Sequence, residues 1–504
     1  MFDGVGRENC LSFVSVEFLI FFPVVAAVYF WIPQRFRNYW LLGASYFFLM
    51  QANAAYAVFL AAVTVITWAG GALVARADRG GEAAAPNWKK LPAVLSLTAI
   101  FAILAVFKYL NFFEGLSAGL LSIFGVSIHP SPSDLLLPAG ISFYTFQAAT
   151  YVIDVYRRDV KPEKNLFQYA LFVSFFPQLL SGPIEESRSM LPQFREVHRY
   201  DYDRVRSGLL RMLWGYFEKM VVADRLGTLV DAVYDSPGKY SGLPVLLATI
   251  FFAFQIYCDF GGYSNIAIGA AEVMGFRLTE NFQRPYFSKS IPEFWRRWHV
   301  SLGRWFRDYL YIPLGGNRCS RARHYLNILI VFAVCGLWHG ASMTFVVWGA
   351  LHGLYQVIGL TLKPVKKRAE NLLGIREDAG PVKIWRAAVT FLLVDFAWIF
   401  FRAGTFSGAA VLIRNMFHFR SLAEVANGPL IPGMNVLEFC AALAGIVLVL
   451  AADFLGRGCD LRKKLLGRGT ACRWAVYLSA AVIILIFGNY GPLREAGQFI
   501  YSQF

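Results

Sequence analysis

Long apolar runs recur along the 504-residue chain from Leu11 to Phe487, and no extended polar tract separates them. A membrane-crossing helix needs about 20 largely apolar residues to cover about 30 Å of hydrocarbon. Runs of that kind lie at 14–32, 55–75, 92–113, 134–155, 243–263, 385–402, 436–455 and 474–490. Shorter or more polar stretches at 38–52, 165–181, 205–223, 325–339 and 341–360 bring the expected total to roughly 10–13 membrane helices, several of them packed inside the bundle. The pattern predicts an all-α polytopic membrane protein forming one domain over 1–504, with its polar motifs concentrated in 134–406 and plain membrane helices in 407–504. No internal repeat of the transporter kind is visible.

Two segments break the pattern. On a helical wheel Ile291, Phe294, Trp295, Trp298, Leu302, Trp305, Phe306 and Tyr309 form one face, with Glu293, Arg296 and Arg307 opposite and His299 at the edge between them. This predicts an amphipathic helix lying at the interface. Between Arg323 and Lys363 the only interruption of an apolar stretch is Gly336-Leu337-Trp338-His339-Gly340-Ala341-Ser342. That reads as a helical hairpin with His339 at its bend. Its first arm, Tyr325 to Trp338, has 14 residues and reaches about 21 Å, which sets His339 deep in the protein.

Charge adds orientation. The chain is 57% apolar and 16% charged, with 48 Lys and Arg against 33 Asp and Glu; soluble domains run about 25% charged. A soluble enzyme is excluded, and nucleic-acid binding is the weaker reading of the positive excess. Basic residues cluster at 284–323, 363–386 and 457–473, which predicts cytosolic loops there and contact with anionic lipid headgroups. The seven cysteines contain no CxxC pair, so neither a zinc site nor a disulfide framework is indicated, and most are expected as buried or interfacial thiols. The N-terminal stretch lacks a basic start before its apolar run, so its first apolar segment is expected to remain as a membrane helix.

Of the seven histidines, His339 is the strongest candidate for chemistry. An ionisable side chain deep in a membrane protein is costly and points to function, and imidazole suits general-base work near neutral pH. A buried histidine bonded to a backbone carbonyl fits the same residues. For His299 the wheel alone favours a plain interfacial helix. His352, about 220° around a helix from His339, reads as a packing or hydrogen-bonding residue, and no histidine pair has metal-ligand spacing. Polar residues set in apolar sequence, among them Ser142, Gln147, Asp154, Asp259, Ser264 and Asn265, read mostly as interhelical hydrogen bonds. Glu185, Glu186 and Arg188 read as loop ion pairs.

Six ordered blocks carry a resemblance: LPAGISFYTFQAATYVIDVYR, FFPQLLSGPIEESRSMLPQF, IYCDFGGYSNIAIG, FWRRWHVSLGRWFRDYLYIPLGGNR, GLWHGASMTFVVWGALHG and FAWIFFRAGTF. Together they resemble the membrane-bound O-acyltransferase family, in its bacterial alginate O-acetyltransferase-like branch, related to the D-alanyl transfer proteins of teichoic acid modification. The resemblance implies a ring of helices around a thin centre, with His339 as catalytic residue and His299 as the second functional position. Asn265 stands where many relatives carry an acid. The activity implied is transfer of an acyl group, acetyl foremost, from acetyl-CoA or another thioester to an extracytoplasmic polysaccharide, together with a partner O-acetyltransferase, at the bacterial inner membrane. With that donor chemistry, the guanidinium groups of Arg296, Arg297, Arg304 and Arg307 suit its phosphates, or equally anchor lipid, and Trp298, Asp259 and Asn265 are expected to contact substrate. No metal or bound cofactor is expected. The rivals are a transporter or channel for a small anionic solute or lipid, and an acyltransferase acting on a lipid or protein.

Overall fold

A computed structural model of the chain describes residues 11–79, 86–124, 137–180, 182–418 and 431–489. Cys10, His129, Ser181 and the first ten residues, on which the reading of the N-terminus rests, lie outside them. Every regular element among the described residues is helical. Among the described residues, seven helices are long and apolar enough to cross a membrane: Ala54–Asp78, Lys90–Ser122, Leu243–Met274, Met343–Leu372, Gly380–Arg402, Val436–Leu455 and Thr470–Phe487. In hydrocarbon the backbone must satisfy its own hydrogen bonds, which is why these segments are unbroken helix. Thr470–Phe487 buries none of its residues and exposes Leu478, Leu485 and Ile486, an apolar surface of the kind that suits lipid.

Several expected crossings come out differently. The run at 134–155 is a helix from Ile141 to Arg157, 17 residues long and almost wholly buried, so protein and not lipid accounts for its apolarity. The stretch 165–181 divides into Leu166–Ser174 and Phe176–Leu179, with the break at Phe175 just before Pro177. The basic loop expected over 363–386 is mostly helix, because Met343–Leu372 continues through Lys363, Lys366, Lys367 and Arg368. Long basic side chains can reach the interface from a helix end, so the charge run does not stop the helix. The six described cysteines form no disulfide; Cys258 and Cys335 are buried, but Cys440, Cys459 and Cys472 are exposed.

The described residues form two compact units, Met1–Met212 with Ile266–Thr279, and Leu213–Asn265 with Glu280–Phe504. The core of the first is rich in aromatic pairs such as Phe13–Phe18 and Phe175–Phe276, with ring centroids 5.0 and 5.1 Å apart. Its buried polar groups mostly bind neighbouring segments: Gln147 donates to the Phe172 carbonyl, Ser187 to Asp154, and Glu185 accepts from the Thr279 backbone. Glu185 therefore makes this backbone bond, while Glu186 pairs with Arg188 as expected.

The second unit contains the hairpin. Ser320 caps its first arm, Arg321–His339, which has 19 residues rather than 14 and so spans about 28 Å. Ser342 caps the second arm, Met343–Leu372, by accepting from the Thr344 backbone. Glycine sets how closely the arms approach. A Cβ on Gly349 would lie 2.1 Å from the Phe332 carbonyl oxygen, and one on Gly336 would lie 2.2 Å from that of Phe345. Gly359, on the same helix as Gly349, has nothing within 4 Å. Gly349→Ala is therefore expected to destabilise the protein by about 1–3 kcal/mol, whereas Gly359→Ala should be neutral or stabilising. Thermal unfolding of the two variants in detergent checks this; equal midpoints would contradict the packing argument.

Candidate active site

The amphipathic segment is not one helix. Ser290 caps a short helix, Ile291–Trp295, by accepting from the Glu293 backbone. The chain then turns and restarts as Val300–Phe306, which runs into a π-helical turn at Arg307–Tyr311. His299 sits at the junction with φ 42° and ψ 56°, the left-handed region that side chains other than glycine seldom adopt. A wheel drawn through the junction sets His299 at the edge between the apolar and polar faces; the break buries it completely, at 0% exposure. Two backbone bonds flank the turn, from Gln283 N–H to the Arg297 carbonyl at 2.9 Å and from Val300 N–H to the Asn281 carbonyl at 3.0 Å. Trp298, also fully buried, packs among Phe282, Phe294 and Trp398 with centroids 4.9, 5.4 and 5.1 Å away.

His339 is the last residue of the first hairpin arm. The chain leaves it through Gly340, where a Cβ would strike the Phe345 ring at 2.1 Å. The imidazole is 2% exposed and lies edge-on to Trp338, Trp348 and Phe401, with centroids 4.9, 5.0 and 5.4 Å away. His299 approaches from the broken helix, its ring 6.5 Å from that of His339 and 4.7 Å from Phe260. Burial in this aromatic shell pushes the His299 pKa down to about 3, because charging the ring there forfeits its hydration. His299 is thus a neutral imidazole.

His352 behaves as a hydrogen-bonding residue. Its Nδ1 accepts from the Trp295 indole N–H at 3.2 Å, tying the short helix to the second hairpin arm. Trp348 stacks on Trp398, with centroids 5.5 Å apart. The indole N–H groups of Trp298, Trp348 and Trp398 are buried and have no acceptor among the described residues. Buried indoles normally find a partner, so this cluster carries donor capacity for polar atoms of a bound molecule.

The other candidates do not gather around the two histidines as one group. Arg296 and Arg304 are exposed. Arg297 pairs with Glu293 at 2.6 Å, and Arg307 binds both oxygens of Asp308 at 2.7 and 2.9 Å. Asp259 is buried against Lys219, which also binds Asp224. Asn265 donates to Glu218 at 2.7 Å. An amide donor beside that buried carboxylate is compatible in a way a second carboxylate would not be. Among the described residues, no group of three or more His, Cys, Asp or Glu could hold a metal.

One residue escaped the sequence reading. Asn281 lies after Leu243–Met274, between Glu280 and Phe282 and outside any helix or long apolar run, yet it is 1% exposed and holds the residues that follow His299. A neutral imidazole at His299 and a buried one at His339 in an aromatic shell, with indole donors beside them, suit proton transfer and stabilisation of a developing oxyanion.

Comparison with known proteins places the chain in a family. The sequence model described as MBOAT, membrane-bound O-acyltransferase family, matches residues 161–390. A Pseudomonas aeruginosa protein named probable alginate O-acetylase AlgI is 38% identical over 407 residues, which cover 80% of this chain and 74% of that protein. Its Pseudomonas putida namesake is 35% identical over 501 residues, covering 97% and 99%. The peptidoglycan O-acetyltransferase of Helicobacter pylori is 33% identical over 434 residues, covering 80% and 78%. With its helical architecture, its seven apolar spans and relatives matched over most of their length, the chain belongs to the membrane-bound O-acyltransferase family and is a multi-pass O-acyltransferase.

Proposed function

We propose that the chain, acting as one membrane domain in the bacterial inner membrane, moves an acetyl group from a cytosolic thioester such as acetyl-CoA to hydroxyls of an extracytoplasmic polysaccharide, handing it on through a separate transferase. The observation that carries this is the pair of buried imidazoles, His339 and His299, with ring centroids 6.5 Å apart. His339 acts as general base. It takes the proton of the accepting hydroxyl as that oxygen attacks the thioester carbonyl, and returns it to the departing thiolate as the C–S bond breaks. His299, neutral by burial, offers its N–H to the developing oxyanion, and Trp298 lines the same shell. Arg296 and Arg304, exposed on the basic segment, attract the donor's phosphates. Arg297 and Arg307 join them only if they leave Glu293 and Asp308. Asp259 and Asn265 act indirectly, by holding the helix that presents Phe260 to His299. The relatives named for alginate and peptidoglycan acetylation support a polysaccharide as acceptor.

The test is radiolabelled acetyl transfer from acetyl-CoA in membranes that also contain the partner, with exopolysaccharide and cell-wall fractions counted separately. Label in one polymer fraction, absent from membranes lacking the chain, is the expected result. Absence of label with acetyl-CoA and with other acyl thioesters, alongside solute flux dependent on the chain, would replace this reading with a transporter.

A further inference from the structure

We propose that Asn281 is the positioning residue for His299, clamping the broken helix so that the imidazole faces His339; this rests on the role given to His299 above. The turn that carries His299 has no local reason to exist. No proline or glycine lies between Glu293 and Leu302, and the left-handed backbone at His299 is disfavoured for a residue with a Cβ. Such a conformation persists only where its surroundings over-determine it.

Asn281 supplies that constraint from both its backbone and its side chain. Its carbonyl accepts from Val300 N–H at 3.0 Å, immediately after His299. Its Oδ1 accepts from the Ser301 hydroxyl at 2.7 Å and from the Ser301 N–H at 3.4 Å. Its Nδ2 donates to the Ser264 hydroxyl at 3.2 Å. The first three bonds occupy the start of Val300–Phe306, where helical N–H groups lack intrahelical acceptors. The fourth anchors the clamp to Leu243–Met274, the helix whose Phe260 ring packs on His299 at 4.7 Å. Asn281, Ser264 and Ser301 are 1%, 2% and 3% exposed, so water does not compete for these bonds. One amide thus fixes the His299 turn relative to the helix on the far side of its ring.

Two measurements on the full chain in membranes with its partner test this. In the first, acetyl transfer is compared for wild type, Asn281→Ala, His299→Gln and the double variant. A positioning residue acts through its target, so Asn281→Ala should lower the rate at saturating donor about ten-fold with little change in donor KM, yet add less than about two-fold in the His299→Gln background. Losses that multiply in full would assign Asn281 a general structural role and overturn the proposal. In the second, carbethoxylation of His299 by diethyl pyrocarbonate is mapped by peptide mass spectrometry, with exposed His418 as internal reference. His299 should be protected in the wild type, labelled much faster in Asn281→Ala, and protected again in Asn281→Asp, which keeps the oxygen that accepts from Ser301. If labelling is unchanged in Asn281→Ala, the clamp is refuted whatever the activity; if labelling rises while wild-type membranes transfer no acyl group, the clamp stands and the proposed reaction fails. Should Asn281→Ala not accumulate, Ser301→Ala removes the shortest bond of the clamp and should give the same changes at smaller amplitude.

Discussion

Replacing His339 by alanine is expected to lower acetyl transfer about 10²–10⁴-fold, the contribution typical of a general base. Donor binding should change little, because the imidazole is 2% exposed within an aromatic shell while the exposed arginines lie on a different segment. Alanine also leaves space among Trp338, Trp348 and Phe401, so His339→Gln belongs beside it as a variant of closer volume. Both should lose activity, and His339→Gln should keep the unfolding midpoint nearer to wild type. Full transfer by either variant at matched expression would remove His339 from the chemistry. His299 should behave differently with pH. Its pKa, lowered to about 3 by burial, keeps it uncharged in the folded protein across the range of about pH 5 to 8. Protonation of His299 begins only on approaching its folded pKa from above, so it creates no acid limb in that range. The residual activity of His299→Gln should therefore show the same profile shape as wild type, and a limb that vanished in the variant would contradict the buried, neutral state.

Lys219→Met should destabilise the fold more than any substitution at the two histidines or at Gly349. Lys219 is 1% exposed and lies 2.7 Å from Asp224 and 2.5 Å from Asp259, both of them buried. It also faces the Tyr263 ring at 5.7 Å. Methionine removes the cation and leaves both carboxylates without it; breaking a buried pair in this way costs about 3–5 kcal/mol. Lys219 is in a π-helical turn, Phe217–Ala223, a geometry frequent at functional sites. The long helix beside it comes close enough that a Cβ on Gly262 would meet the Gly215 carbonyl at 2.7 Å. Thermal unfolding in detergent reads the loss. Lys219→Met combined with Asp224→Asn and Asp259→Asn should recover much of the stability, since neutral partners no longer need the amine. A triple variant no better than Lys219→Met would show that the lysine's packing, not its charge, holds the cluster.

The hairpin was legible in the sequence because its signals are local. Two apolar stretches flank a Gly-Leu-Trp-His-Gly run, basic segments lie at either end, and the structure forms the bend at Gly340 to Ser342. The first arm proved longer than read because Ser320 caps it ahead of Arg321, inside a basic stretch that hydropathy scored as loop. The burial of Ile141–Arg157 was not legible, since a lipid-facing and a protein-facing helix look alike in apolar content. Nor was the break at His299, since no proline or glycine lies between Glu293 and Leu302 to mark it.

The sequence by itself determined that this is a helical membrane protein, where most of its apolar spans lie, and that His339 stands at the bend of a hairpin. Partition into hydrocarbon is summed residue by residue along a segment, so it can be read without knowing the neighbours. Tertiary structure alone decided that the helix breaks at His299, that its ring comes 6.5 Å from His339, and that Asp259 already holds a partner. A strained turn and a buried charge are each stable only through groups supplied by other segments, Asn281 for the turn and Lys219 for Asp259, and no local pattern encodes a partner that folding has yet to bring near.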